Sequence, residues 1–188
     1  KQKSATCATL KEFETVHQKF VQQRAEKLRD APVRRKAQIM PLPPLKKIEN
    51  QLFDAATLAE YLVQQAIALH QVHSEYDSVT QKQISFGLIR FANIKPMIPL
   101  AKQFFQLEIK PQWQDYQIHL CCYHSKQLLI LRSKLEEKLD RILNRTDSKN
   151  AFGQLEVMAA LTQSQAKNQL FIVLGSPVTE VGRDHDYD

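Results

Sequence analysis

The chain has 188 residues, of which 43% are hydrophobic and 24% are charged, and it carries a net charge of +6. This length and composition are typical of one globular domain, with or without an extended arm, and they exclude a largely disordered protein. Only four glycines are present, which leaves few positions for tight turns and favours long helices over a many-stranded sheet.

The cysteines and the lengths of the apolar runs bear on the cellular compartment. Cys7, Cys121 and Cys122 are odd in number, and two of them are adjacent, so no disulfide framework is predicted and a reducing compartment is favoured. The longest apolar runs fall far short of the ~20 residues that a membrane span needs. We therefore expect a cytoplasmic protein, or one in another reducing compartment that contains nucleic acid, without membrane contact.

The first predicted element is an amphipathic helix over residues 6–30. Its apolar residues, among them Leu10, Phe13 and Phe20, are spaced three and four apart and form one face. This face is the predicted contact with a protein partner if the helix does not fold back on its own chain. Four prolines between positions 32 and 44 end the helix and make an extended connector. Residues 1–44 are therefore predicted to be a basic helical arm with a Pro-rich linker.

Positive charge is concentrated in this arm. Residues 19–47 contain nine basic and two acidic residues, a local charge of +7, so the rest of the chain sums to about −1. A localised excess attracts polyanions, and each basic side chain can neutralise a phosphate. The alternatives are an acidic protein surface or plain solvation. Between Val21 and Lys47 no aromatic residue lies among the basic residues to stack a base. The residues predicted to bind nucleic acid, either DNA or RNA, are Arg24, Lys27, Arg29, Arg34, Arg35, Lys36, Lys46 and Lys47.

The second segment with helical periodicity runs from Leu45 to Tyr76. Its apolar residues alternate steps of three and four, which is typical of a helix–helix seam. Asp54 is predicted to cap a break within this segment. The next segment, 81–94, has apolar spacing that fits either a strand or a helix, and we interpret it as a helix because its neighbours are helical.

The remaining segments are also predicted to be helical. Pro99 is placed in the first turn of a short helix. The strongest helical pattern covers residues 112–145, where two adjoining apolar stripes indicate a helix that is covered on more than one side. A final helix is predicted over residues 152–174, with Gly175 as its stop signal.

One sequence, His119-Leu-Cys-Cys-Tyr-His124, contains possible metal ligands or a nucleophile. On a helix, His119 would share a face with Cys122, and Cys121 would share a face with His124, so each pair could present two zinc ligands. The usual Cys-x₂-Cys pairs are absent, and a thiol in an apolar stripe is a poor nucleophile. We interpret these residues as core and expect no bound metal.

Together these patterns predict an all-α fold. A helical bundle of about five or six helices occupies residues 45–176, the basic arm occupies residues 1–44, and an acidic tail at 177–188 is expected to be disordered. No motif for catalysis is found, so we expect no enzyme, no catalytic residues, no cofactor and no small-molecule substrate.

The predicted function is that of a non-catalytic accessory subunit that binds nucleic acid electrostatically or belongs to a nucleoprotein assembly. The alternative is a protein-interaction or scaffold subunit of a larger complex. Such a subunit would dock a partner protein through the first helix and the basic linker.

Overall fold

The computed structural model describes residues 6–30, 37–46, 53–108, 110–144 and 151–180, together with His185 and Tyr187. These residues form five α-helices and four β-strands: α1 (Leu10–Leu28), α2 (Ala55–His73), β1 (Glu75–Asp77), β2 (Lys82–Arg90), α3 (Ile94–Gln106), β3 (Tyr116–Tyr123), α4 (Leu129–Leu143), α5 (Leu155–Gln163) and β4 (Asn168–Gly175). Short 3₁₀ turns cover Pro111–Trp113 and Pro177–Glu180. None of the described helices combines the length and the apolar character that crossing a membrane would need.

The chain divides into two compact units, residues 1–41 and 42–188. The first unit contains α1, in which no residue is buried. The second unit contains the other described helices and the strands, and it supplies every buried hydrophobic side chain of the described residues.

The second unit is built around a mixed sheet with the strand order β1-β2-β4-β3. β1 pairs antiparallel with β2, whereas β2 and β3 both pair in parallel with the central strand β4. The parallel strands are joined by helices, α3 between β2 and β3, and α4 and α5 between β3 and β4, because a parallel pair needs a long crossover. The prediction of an all-α bundle is therefore wrong, and the fold is mixed α/β.

Helices cover both faces of this sheet. On one face, α2 and α3 bury Leu58 and Leu100 against Leu174 of β4. On the other face, α4 and α5 bury Leu139 and Leu161 against β2 and the opposite side of β4. Each fully buried leucine contributes about 1.5–3 kcal/mol relative to an exposed one. Strands covered on both faces carry nearly continuous apolar runs, and this explains why their sequences resemble buried helices.

The segment 112–145, which was predicted to be one long helix, forms a 3₁₀ turn, β3 and α4. Successive side chains of a strand point to opposite faces, so Ile118 and Leu120 pack on the α2–α3 face while Cys121 and Tyr123 pack on the α4–α5 face. Within β3, the apolar residues that were assigned to two stripes of one helix therefore lie on the two faces of a strand. The first half of β3, residues 116–120, alternates apolar and polar side chains, but Cys121, Cys122 and Tyr123 continue the apolar run on both faces, so the alternation is incomplete.

Two further segments that were predicted to be helices contain strands. In the segment 81–94, Ile84 and Phe86 of β2 are buried against the α4–α5 layer, so the alternating pattern was the correct signal. The segment 152–174 divides into α5 and β4, and the apolar run Leu170–Leu174 lies in the centre of the sheet. In both cases burial on two faces overrides the helical spacing.

The helical predictions are confirmed for α1, α2 and α3, with corrected bounds. Asp54 caps α2, since its Oδ1 accepts a hydrogen bond from the Thr57 N–H at 3.0 Å and its Oδ2 accepts one from the Thr57 hydroxyl at 2.8 Å. Tyr76, which was placed in the helical seam, lies in β1. α3 begins at Ile94, so Pro99 lies inside this helix instead of in its first turn.

Residues 177–188, the predicted tail, are described in part. Pro177–Glu180 form a 3₁₀ turn. His185 Nε2 lies 2.8 Å from Asp140 Oδ1 of α4, and Tyr187 packs against the buried cluster between the sheet and α4–α5. The other residues after Glu180 lie outside the described residues.

Candidate nucleic-acid interface

The predicted interface begins on α1, whose ends are well defined. Thr9 caps the helix by accepting a hydrogen bond from the Glu12 N–H on its Oγ1 at 3.2 Å. The Glu12 side chain reaches back past the cap, where its Oε2 accepts from the Ala8 N–H at 2.8 Å. At the other end, Lys27 lies in the last turn and Arg29 is the C-cap residue. The negative end of the helix dipole favours cations there.

Basic side chains at this end of α1 are open to a ligand. Arg24, Lys27 and Arg29 are all exposed, so each remains hydrated and can exchange its counterion for a phosphate. Glu26 and Asp30 lie in the same segment and offset part of their charge. This end of α1 therefore carries a small positive excess.

The other predicted contact residues lie beyond α1. Lys46 is exposed in the second unit, shortly before α2. The pKa of Asp54 is lowered chiefly by the hydrogen bonds from Thr57, and the charge of Lys46 lowers it further. Four residues of the predicted set lie outside the described residues: Arg34, Arg35, Lys36 and Lys47. That these eight basic residues bind nucleic acid is still a prediction.

α1 also exposes large apolar side chains. Leu10, Phe13 and Phe20, which were predicted to contact a protein partner, are 74%, 52% and 55% exposed. Arg24 and Lys27 continue along the chain at the same spacing of three and four residues, so they extend the same stripe toward the C-terminal end of the helix. One face of α1 thus has an apolar half followed by a basic half.

His119, Cys121 and Cys122 lie on a strand, so the spacing expected for a helix does not apply to them. His119 and Cys121 face the α4–α5 layer, and Cys122 faces the α2–α3 layer. His119 Nε2 lies 2.8 Å from Gln169 Oε1, and the imidazole stacks on Phe171 with 4.4 Å between ring centroids. The strand therefore separates His119 from Cys122, which a helix would have brought together.

Burial sets the protonation states of these groups. It lowers the pKa of His119, raises the pKa of the Cys121 thiol to about 11, and raises the pKa of the Cys122 thiol. A nucleophilic cysteine needs the opposite shift, toward the thiolate. In the part of the chain that the structure describes, no group of three or more His, Cys, Asp or Glu residues is arranged to hold a metal ion. These side chains belong to the core.

A buried polar network joins α2 to the sheet, and sequence reasoning missed it. His70 is 2% exposed, with Nδ1 2.7 Å from Ser85 Oγ and Nε2 3.2 Å from Asn168 Oδ1. The Asn168 amide donates to the Asp115 carbonyl, so Oδ1 accepts from His70 Nε2–H and the Ser85 hydroxyl donates to Nδ1. Ser85 is itself buried under α2, so the network fastens the helix to the sheet. The sequence signal for this network is the spacing of three residues between Ile67 and His70, which places both on the same buried face of α2.

Comparison with known proteins identifies the family. Residues 83–188, which run from β2 to the end of the chain, match the family described as CRISPR-associated nuclease/helicase Cas3, C-terminal. The match covers more than half of the chain, and the protein belongs to this family.

Individual relatives agree with this assignment. A protein of Pseudomonas aeruginosa named CRISPR-associated nuclease/helicase Cas3 subtype I-F/YPEST is 40% identical over 179 residues, which are 94% of this chain and 16% of that protein. A protein of the same name from Pectobacterium atrosepticum is 34% identical over 180 residues, 95% of this chain and 16% of the relative. The chain thus spans about one sixth of the length of the curated relatives that it matches.

The expectation of no enzyme is contradicted by the relatives. Both relatives carry the name of an enzyme, a nuclease/helicase. The search for catalytic motifs concerned these 188 residues alone, and the matched segment is 16% of each relative. A missing motif in a segment of that size does not decide whether the polypeptide is an enzyme.

Proposed function

We propose that this chain supplies a nucleic-acid-binding surface to a nuclease/helicase of the Cas3 family. Eight basic residues between Arg24 and Lys47 supply the contacts. They contact the phosphate backbone of DNA or RNA, and backbone contacts position a strand without reading its sequence.

The concentration of charge carries this proposal. Residues 19–47 hold a local charge of +7 in a chain whose total is +6. An excess confined to one segment makes a local potential that attracts a polyanion, whereas an evenly spread excess mainly serves solubility. The names of the relatives support the choice of polyanion, since a nuclease and a helicase both act on nucleic acid.

The test is a charge reversal within the cluster. We expect Arg34→Glu, Arg35→Glu and Lys36→Glu together to weaken binding to single- and double-stranded DNA and RNA. The slope of log affinity against log salt concentration should become shallower by roughly 2–3 units, because each phosphate that is no longer contacted keeps about one counterion. The measurement is fluorescence anisotropy over a salt series, with the wild-type chain as reference.

A matched control separates local contact from total charge. Lys95, Lys102 and Lys126 are exposed residues of the second unit outside the cluster, and their change to glutamate alters the net charge by the same amount. This control should retain most of the affinity and salt dependence. Equal losses in both triple variants, or no nucleic-acid binding by the wild type, would refute the proposal.

A second candidate function is docking of a protein through α1. The observation in its favour is the exposure of Leu10, Phe13 and Phe20 on a helix that buries no residue, since a contiguous apolar face indicates an interaction surface. Hydrogen exchange tests it in the full-length P. aeruginosa relative. Amides of the segment aligned with α1 should exchange more slowly there than in the present chain, and equal rates would argue against docking.

A further inference from the structure

β3 is an edge strand of the sheet. The Tyr123 carbonyl accepts a hydrogen bond from the Ser176 N–H, on the β4 side, at 3.2 Å. In a parallel strand, the N–H and C=O of one residue point the same way, and this direction alternates along the strand. The backbone groups of the even-numbered residues Ile118, Leu120 and Cys122 therefore point outward, away from β4.

Most of this outward row lacks a partner. The Gln117 amide donates to the Ile118 carbonyl at 3.4 Å, and the Gln127 amide donates to the Cys122 carbonyl at 2.9 Å. The N–H and C=O of Leu120, and the N–H groups of the other two outward residues, have no hydrogen-bond partner within the described residues. These four groups are therefore available to another strand, whereas the Cys122 carbonyl is occupied by Gln127, whose Oε1 also accepts from the His124 N–H at 3.1 Å.

Cavities flank this edge on both faces of the sheet. On the α4–α5 face, His119 and Cys121 line a cavity of about 210 Å³. On the α2–α3 face, Ile118 and Tyr116 line a cavity of about 230 Å³, and Leu120 lines both. The side chains of an added strand would point alternately to the two faces, and hence toward one cavity and then the other.

Exposed apolar side chains extend the surface at both ends of β3. Phe105, which is 71% exposed, lines the same cavity as Ile118. At the other end, Leu128–Leu131 are 58–71% exposed, and they directly follow Gln127, whose amide contacts the β3 edge. Exposed apolar side chains grouped beside a strand edge are typical of a contact with another polypeptide.

We propose that β3 accepts an additional β-strand. The strand is an extended segment with apolar side chains on both faces, and it comes from the part of the Cas3-family polypeptide outside these 188 residues. The row of backbone donors and acceptors selects an extended peptide, and the two cavities select apolar side chains. The matched segment is only 16% of each relative, so the remaining polypeptide is a large source of candidate strands. The proposal is independent of the nucleic-acid-binding surface.

Peptide binding to the 188-residue chain tests the proposal. Overlapping synthetic peptides of ~12 residues, the length of about two strands, cover the remainder of the P. aeruginosa relative. We expect binding by a peptide with consecutive apolar residues, which present apolar side chains to both faces, and none by its scrambled form. Hydrogen exchange at the Ile118, Leu120 and Cys122 amides should slow on binding, because these N–H groups become bonded.

Two substitutions of Leu120 distinguish the contribution of its backbone N–H to peptide binding from the contribution of its side chain. Leu120→Pro removes the outward N–H without removing a bond to β4, and it should weaken peptide binding about tenfold or more. Leu120→Ala keeps the N–H and should weaken binding less than Leu120→Pro does. Melting temperatures show whether each variant is folded, and the exchange measurement on the wild type does not depend on either variant.

Three outcomes would overturn the proposal. The first is that no peptide binds, or that the bound peptide leaves the outward amides unprotected. The second is protection of these amides by self-association, seen as a concentration-dependent dimer in sedimentation. The third is protection of the same amides by nucleic acid instead of by a peptide.

Discussion

The thiol of Cys121 lies between the sheet and α4, in the cavity that Tyr187 also lines. Burial there favours the neutral thiol and raises its pKa from 9.0 to about 11. His119, two residues before it on the same face, has its pKa lowered by burial. Both shifts disfavour the charged form, so single residues in this layer behave as core residues despite their reactive chemistry.

The Cys121 shift predicts how stability depends on pH. The folded state holds the thiol proton more tightly than the unfolded chain, so this contribution is fully present below pH 9 and is lost as the pH rises from 9 to 11. We expect the stability advantage of the wild type over Cys121→Ala to fall by about 2–3 kcal/mol across that range. Urea unfolding at a series of pH values measures it, and a constant difference would contradict the assignment.

His70 supports a second prediction at this scale. His70→Phe keeps a ring of similar size but leaves Ser85 Oγ and Asn168 Oδ1 without their partner, which should cost about 2–3 kcal/mol of unfolding free energy. His73, exposed in the same last turn of α2, provides the control, since His73→Phe should stay within about 0.5 kcal/mol. Equal effects of the two substitutions in urea unfolding would mean that the network contributes nothing.

Among the elements, β4 organises the second unit. It pairs with β2 and β3 in a continuous parallel register, and its side chains supply buried residues to both helical layers. It ends at Gly175, whose carbonyl accepts a hydrogen bond from the Phe91 N–H at 2.8 Å. The end of this strand is tightly packed, because a Cβ at Gly175 would collide with the methyl group of Thr179.

This collision predicts a specific rescue. Gly175→Ala should destabilise the protein by about 1–3 kcal/mol, as overpacking in a core does. Thr179→Ser removes the methyl group but keeps the hydroxyl that donates to the Ser176 carbonyl at 3.0 Å, so the double variant should regain most of the loss. Gly87→Ala is the control, because a Cβ there meets no atom within 4 Å. Additive effects in thermal unfolding would refute the collision.

The whole molecule consists of two units with very different cores. Each of the three buried clusters contains only residues of the second unit, whereas α1 buries none. Most of the stability of a helix in a protein comes from packing of its apolar face, and α1 has no buried residue. The stability of the folded chain should therefore come from the second unit.

A truncation tests this expectation. The fragment 42–188 should unfold cooperatively with a midpoint close to that of the whole chain, because it retains every described buried cluster. Circular dichroism during urea unfolding gives the midpoint and the slope. A fragment that fails to fold, or that melts far below the whole chain, would show that residues 1–41 stabilise the second unit.

The sequence by itself determined the features that depend on near neighbours. The capping residue Asp54, the amphipathic spacing of α1 and the concentration of charge in residues 19–47 are all readable within a few positions along the chain. Part of the core was also readable, since the apolar patterns of 112–145 and 152–174 include the buried residues Leu139, Ile142 and Leu161, but Leu128–Leu131 of the same pattern are 58–71% exposed. Charge at Arg34 and its neighbours is a sequence property, and its role in binding is still a prediction.

Only the tertiary structure decided which of the apolar segments are strands. Ile118 faces the α2–α3 layer, whereas Tyr123 faces the α4–α5 layer. Both faces of β3 therefore carry side chains that pack against helices. A strand covered on both faces can lose the alternation that would reveal it, as β4 does over Leu170–Leu174, and in β3 the alternation stops at Leu120. The partners that cover β3 and β4 are distant in the sequence, so neither the parallel sheet nor the unpaired edge at Leu120 could be predicted from local pattern.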